Sequence, residues 1–327
     1  MTFDPAFNSR SLPVILPDME IDAAAPSLAR EPVIGGSRPA ERRLTSRVPP
    51  HFFFMGSAVF HYLGPAFAVL LFARVAPLGV AWLRITSAAV VFALWRKPWR
   101  QWSVMDVPAR QTVIWLGIVL AAMNASFYLA IDRLPLSTVG AIEFLGPIGL
   151  AAAGMRTLRN FLALACGAAG VYCLTHAGLT DVRIVRAPLG FTFAFANCAL
   201  FVVYIVLGHK IARAGGPSGI DRLGAAMLVA MLAALPIGIW DAVPAFGSPT
   251  LLAAAVGVGI SSSVIPYVCD QLAMARLSRA TFALLLALLP ATATVIGVLV
   301  LRQIPTIAEL AGVGLVILGV GIHRETR

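Results

Sequence analysis

Glu143 is the only charged residue between Leu136 and Met155, and it lies near the middle of that run. A stretch so long and apolar is a candidate bilayer-spanning helix. A carboxylate at its centre costs roughly 2.5–3.5 kcal/mol on insertion scales, and such residues face a protein interior or a water-filled pathway. Other polar residues stand at helical spacings in comparable runs. Asn124 and Tyr128 share a face at spacing four, as do Glu143 and Pro147, and Ser57 and His61. Asn197 and Tyr204 share one at spacing seven, and Tyr267 and Asp270 at spacing three. An amide, a phenol and a carboxylate converging near mid-membrane suit an ammonium or an amino acid; Asn124 also suits a bond between neighbouring helices. Arg84 has three readings: pairing with Glu143, attracting a ligand carboxylate, or snorkelling to the outer interface. His61 reads either as a proton relay near neutral pH or as a hydrogen-bonded core residue. Asp270, close to a run boundary, reads either as a pathway residue or as an acid solvated or bridged to Arg276. Pro147 and Pro290 each remove a helix hydrogen bond, leaving a carbonyl that a ligand or water can use.

Such residues need a membrane around them, and the composition supplies it. The 327 residues are 59% hydrophobic and only 12% charged, with mean hydropathy +0.86. A soluble domain is nearer half apolar and a quarter charged. The net charge of +10 falls in short clusters between apolar runs, without a basic face or recognition motif, which argues against nucleic acid. Cys166, Cys173, Cys198 and Cys269 form no CxxC pair and read as small core hydrophobes; no metal site or cofactor is expected. Residues 1–50, rich in Pro, Ala and charge, read as a disordered cytoplasmic tail.

Ten apolar runs follow, at about 52–73, 77–95, 111–131, 135–155, 160–178, 187–208, 222–240, 249–269, 280–301 and 305–322. Each is long enough to cross a hydrocarbon core of about 30 Å. With the tail inside, the outer loops hold only Arg74, Arg133, Arg183, Arg186 and Arg302, and the remaining loop arginines and lysines fall inside. Both termini are therefore expected in the cytoplasm. Trp82, Trp95, Trp99, Trp102, Trp115 and Trp240 fall at run ends, as an aromatic belt requires. A shift of 143 residues lays Ala130, Arg133, Leu134, Thr138, Pro147, Gly154, Leu158 and Arg159 on Ala273, Arg276, Leu277, Thr281, Pro290, Gly297, Leu301 and Arg302. Each half, 51–180 and 181–327, holds five runs, so the second enters the membrane the other way up. The expected fold is an all-α membrane protein of ten transmembrane helices in two inverted five-helix repeats, with its site between the halves.

Several stretches carry a resemblance: Ala-Pro-Leu-Gly-Val-Ala-Trp-Leu-Arg (76–84), Lys-Pro-Trp-Arg (97–100), Met-Asn-Ala-Ser-Phe-Tyr-Leu-Ala-Ile (123–131), Ala-Ile-Glu-Phe-Leu-Gly-Pro (141–147) and Pro-Tyr-Val-Cys-Asp-Gln-Leu-Ala-Met-Ala-Arg-Leu (266–277). Over residues 52–322 the chain resembles the EamA-type drug/metabolite transporters, and within them the bacterial inner-membrane threonine/homoserine exporters. The resemblance implies export of small amino acids or related metabolites by proton exchange. It matches Arg84, Asn124, Tyr128, Glu143, Pro147, Tyr267, Asp270 and Arg276. Two positions depart from it: Leu289 stands where a glutamate is usual before the proline, and Arg302-Gln303 where Gly-Glu is common. The partners expected are a small-molecule substrate, protons and the bilayer, with a homodimer left open. Competing readings are an exporter of another drug or metabolite class, a polytopic membrane enzyme and a scaffold. No GxxxxGK[ST] stretch supports ATP drive, no HExxH or cluster of catalytic acids supports an enzyme, and a scaffold leaves Glu143 unexplained.

Overall fold

Proline and glycine set most helix ends here, as the sequence punctuation requires. The computed structural model describes residues 48–153, 158–180, 187–213, 216–277, 282, 285, 286 and 288–322. The tail up to residue 47 lies outside these, as does much of 278–287. The elements are α1 (Pro50–Leu71), α2 (Pro77–Arg96), the single turn α3 (Trp99–Trp102), α4 (Val107–Ile131), α5 (Leu136–Ala153), α6 (Leu158–Thr180), α7 (Ala187–Ala212) and α8 (Gly216–Phe246). Then α9 (Pro249–Gly259) runs through a π turn (Ile260–Val264) into α10 (Ile265–Met274), followed by α11 (Leu288–Leu301) and α12 (Ile307–Ile322). Among the described residues there is no strand. Among the described residues six spans are long and apolar enough to cross a membrane: Pro50–Leu71, Pro77–Arg96, Val107–Ile131, Pro188–Ala212, Gly219–Phe246 and Pro249–Met274.

Local chemistry explains the boundaries. Proline opens α1, α2 and α9, where its missing N–H has no helical partner to lose. The Asp106 carboxylate accepts from the Ala109 N–H at 3.1 Å and caps α4. Before α12, Thr306 and Glu309 form a reciprocal capping box: the Thr306 N–H donates to Glu309 Oε2 at 2.7 Å, and the Glu309 N–H donates to Thr306 Oγ1 at 3.2 Å. Lys97 turns left-handed at φ 48°, ahead of Pro98, and ends α2.

Packing follows from small residues, because lipid offers no hydrophobic drive between helices. α2 packs on α8, α6 on α12, and α4 on α7 and α8; α1 packs on α10 and α11, and α5 on α6 and α7. At Gly64 the backbone of α1 lies so close to the Ser262 backbone that no side chain fits. The Arg96 guanidinium pairs with Asp221 at 2.6 Å and ties the end of α2 to α8. Trp95, Trp99, Trp115 and Trp240 are exposed, whereas Trp82 is buried and donates its indole N–H to the Met231 carbonyl at 3.3 Å.

The expected run 249–269 is interrupted by the π turn, and 222–240 extends to Gly216–Phe246. Pro236 and Pro244 lie within the continuous helix α8, so proline there does not end it. The Arg-Lys-Pro-Trp-Arg segment, expected as punctuation, contributes the turn α3. Pro290 is the third residue of α11; the chain before it lies largely outside the described residues.

Candidate functional site

Glu143, 2% exposed, projects from α5 into a cluster built by α1 and α7. Tyr62 of α1 donates its hydroxyl to Glu143 Oε2 at 2.9 Å, and the Asn197 amide of α7 donates to Oε1 at 2.9 Å. His61 Nε2 stands 3.7 Å from Oε2. Each interhelical hydrogen bond in a membrane contributes roughly 0.6 kcal/mol on average. Bonds to an ionised carboxylate are stronger, about 1.5–3 kcal/mol each, so the two together offset the roughly 2.5–3.5 kcal/mol that the carboxylate costs on insertion.

Arg84 of α2 is also buried, at 4% exposure. Its Nε donates to Ser263 Oγ at 2.7 Å, its Nη2 to the Ser262 carbonyl at 2.5 Å, and its guanidinium lies 5.5 Å from the Tyr128 ring centre. The Ser262 carbonyl is open to this bond because Pro266, four residues on, has no N–H to offer it. Among the described residues Arg84 has no carboxylate partner within ion-pair distance. Two polar atoms nearby are buried without a partner, Asn197 Oδ1 and the Tyr128 hydroxyl.

Asn124 of α4 donates to its own helix at the Leu120 carbonyl, 2.7 Å, and to the Tyr267 hydroxyl at 3.4 Å. His61, Arg84, Asn124, Glu143, Asn197 and Tyr267 thus line one cavity, closed by Met123 and Phe127. Its volume is about 10 Å³, room for about one water. Pro147 is buried one turn beyond Glu143 on α5.

Asp270 departs from the expectation of a solvated or Arg276-bridged acid. It is 3% exposed and accepts from Ser57 Oγ at 2.5 Å and from the Tyr204 hydroxyl at 3.2 Å. Arg276 instead donates to the Val48 carbonyl at 2.8 Å and lies over the Phe53 ring. The reason is register: Asp270 sits on the inward face of α10, and Arg276 lies beyond the end of that helix. Tyr62, Met123 and Phe127 join the site without having been singled out by sequence. Among the described residues no three His, Cys, Asp or Glu side chains are disposed to hold a metal ion, and all four cysteines are free thiols.

Gly140, one turn before Glu143, makes the Tyr62 contact possible. A Cβ there would lie 2.9 Å from the Tyr62 hydroxyl and 2.8 Å from Ala293 Cβ. Gly140→Ala is expected to push Tyr62 off Glu143 and lower transport about tenfold, at a stability cost of about 1–3 kcal/mol for overpacking. Transport assays beside thermal melting in detergent check this; wild-type transport would show that Tyr62 is dispensable.

A buried acid, an acid-free buried guanidinium and a cavity between membrane helices describe a small-molecule transporter rather than an enzyme. The chain belongs to the EamA-like transporter family, whose model matches residues 188–323. It is similar to the threonine/homoserine exporter RhtA of Escherichia coli (strain K12), 30% identical over 254 residues, 78% of this chain and 84% of that protein. The protein of the same name from Salmonella typhimurium (strain LT2) is 30% identical over 242 residues, 73% of this chain and 79% of that one. A solved crystal structure shares the fold at TM-score 0.56 and 20% identity, over 84% of this chain and 95% of the other.

Proposed function

We propose that the chain is a secondary active exporter of small amino acids or related metabolites that exchanges them for protons across the bacterial inner membrane. The observation that carries this reading is the cavity with opposite charges on its walls. Glu143 and the donor-free Asn197 Oδ1 suit an ammonium, whose three N–H groups can bridge both. Arg84, without an acid of its own, suits a carboxylate. A zwitterionic amino acid presents both groups on adjacent atoms. The deprotonated Glu143 binds the ammonium, and protonation releases it. A cavity of one-water size requires the helices to part before substrate enters, as alternating access provides.

Ten membrane helices in two inverted repeats, with both termini cytoplasmic, form the scaffold of this reading. The helix pairings support it. Counting membrane helices in order, exchanging each for the one five places on turns α4 on α7 into α10 on α1, and α5 on α7 into α11 on α1. α2 on α8 and α6 on α12 map onto themselves. Asn124 and Tyr267, which bond each other, are 143 residues apart, the shift that aligns the halves. Reporter fusions after residues 100, 158 and 214 should report cytoplasm, and those near 180 and 245 the periplasm; opposite signals would overturn the orientation.

The deciding experiment is reconstitution in liposomes with an imposed pH gradient and a panel of radiolabelled amino acids including threonine and homoserine. Gradient-driven movement of small amino acids is the expected result. No movement of any amino acid would overturn the substrate class, and movement indifferent to the gradient would overturn proton exchange.

A further inference from the structure

Asp270 is a buried carboxylate that the cycle above does not use, and it is tied to the same two helices as Glu143. From α1, Ser57 donates to Asp270 while His61 and Tyr62 face Glu143 one turn later. From α7, Asn197 donates to Glu143 while Tyr204 donates to Asp270 two turns later. Both helices therefore touch both acids. The separations of four or five residues on α1 and seven on α7 space the donors of the two acids roughly 6–10 Å apart along those helices, with the Asp270 donor toward the N-terminal end of α1. His61, beside Glu143, and Tyr204, bonded to Asp270, differ by 143 residues and so occupy equivalent positions of the two halves.

We propose that Asp270 is a second proton-binding site, coupled to Glu143 through the shared helices α1 and α7, so that each transport cycle moves two protons. The inference rests on Glu143 as the first proton site. Two buried carboxylates, Glu143 and Asp270, share this interior with one buried guanidinium, Arg84. The charge on either acid therefore weighs on the other, and the two take up their protons as a linked pair. Any shift of α1 against α7 changes the donors of both acids at once, linking opening of the helices to the proton load of both. The titratable groups facing Asp270 are His61 of α1, Tyr204 of α7, and Tyr267 and Cys269 of its own helix. Asp221 of the adjoining α8 is engaged by Arg96.

The test is infrared difference spectroscopy of the full-length protein in liposomes across pH, reading the carbonyl stretch of buried carboxylic acids without any substrate. Wild type should show two such bands, with Asp270→Asn removing one and Glu143→Gln the other. Ser57→Ala, which keeps the acid and is a mild change, should move the midpoint of the Asp270 band. An unchanged spectrum in Asp270→Asn together with an unmoved midpoint in Ser57→Ala would overturn the second site while leaving Glu143 standing. Loss of a band in Asp270→Asn with none lost in Glu143→Gln would instead overturn Glu143 as the first site. In transport with threonine as probe, the log–log slope of rate on proton concentration should fall from about two to about one in Asp270→Asn. A slope of one already in wild type would overturn the two-proton cycle.

Discussion

Glu143→Gln should reach the membrane at normal abundance and yet lose proton-driven transport by about a hundredfold or more. The amide keeps the size of the carboxylate and still accepts one of the bonds from Tyr62 and Asn197. Removing a charge from mid-membrane eases insertion rather than hindering it. What disappears is a titratable anion. A charge-assisted bond to an ammonium contributes about 1.5–3 kcal/mol, the upper end of which is roughly a hundredfold in affinity. Glu143→Asp retains the acid one methylene further back, so part of the activity should remain with a displaced pH optimum. Measured in vesicles with an imposed pH gradient, full activity of the Gln variant would sink the proposed mechanism.

The second large effect is expected at Arg84. Its planar fork reaches Ser263 Oγ and the Ser262 carbonyl together, a geometry that a lysine ammonium does not reproduce. Arg84→Lys should keep the charge and the fold but raise the apparent KM for an amino acid by about tenfold to a hundredfold, the loss of one bidentate or charge-assisted contact. The discriminating probe is the corresponding amine without its carboxylate. Wild type should favour the amino acid strongly, and Arg84→Gln should lose that preference. An equal loss for both compounds would make Arg84 a support for the π turn and overturn its role in binding.

How much of this was legible in the sequence depended on the cost of each residue in lipid. Glu143, Arg84 and Asn197 stand out because a charge or an amide in an apolar run is costly anywhere except in an interior. Asn124, Tyr128 and Tyr267 could be placed on faces by spacing alone. Tyr62 could not, because a phenol among phenylalanines reads as packing. Its bond to Glu143 joins residues 81 apart and depends on an interhelical register that no local pattern encodes. The expected bridge from Asp270 to Arg276 rests on linear distance, and closeness along the chain says nothing about the face that α10 turns inward. The π turn was illegible for a related reason: three serines carry no preference that separates an i+5 from an i+4 bond.

That turn sets the angular phase of everything after it. One residue more than an α-helical turn rotates the following segment by about 100°. Tyr267 and Asp270 face Asn124 and Ser57 only with that extra residue in place. Ile260–Val264 therefore works as a vernier between α9 and α10, tuning the aim of two functional side chains with no change in how apolar the span is. Length, more than composition, is what this stretch of chain has to preserve.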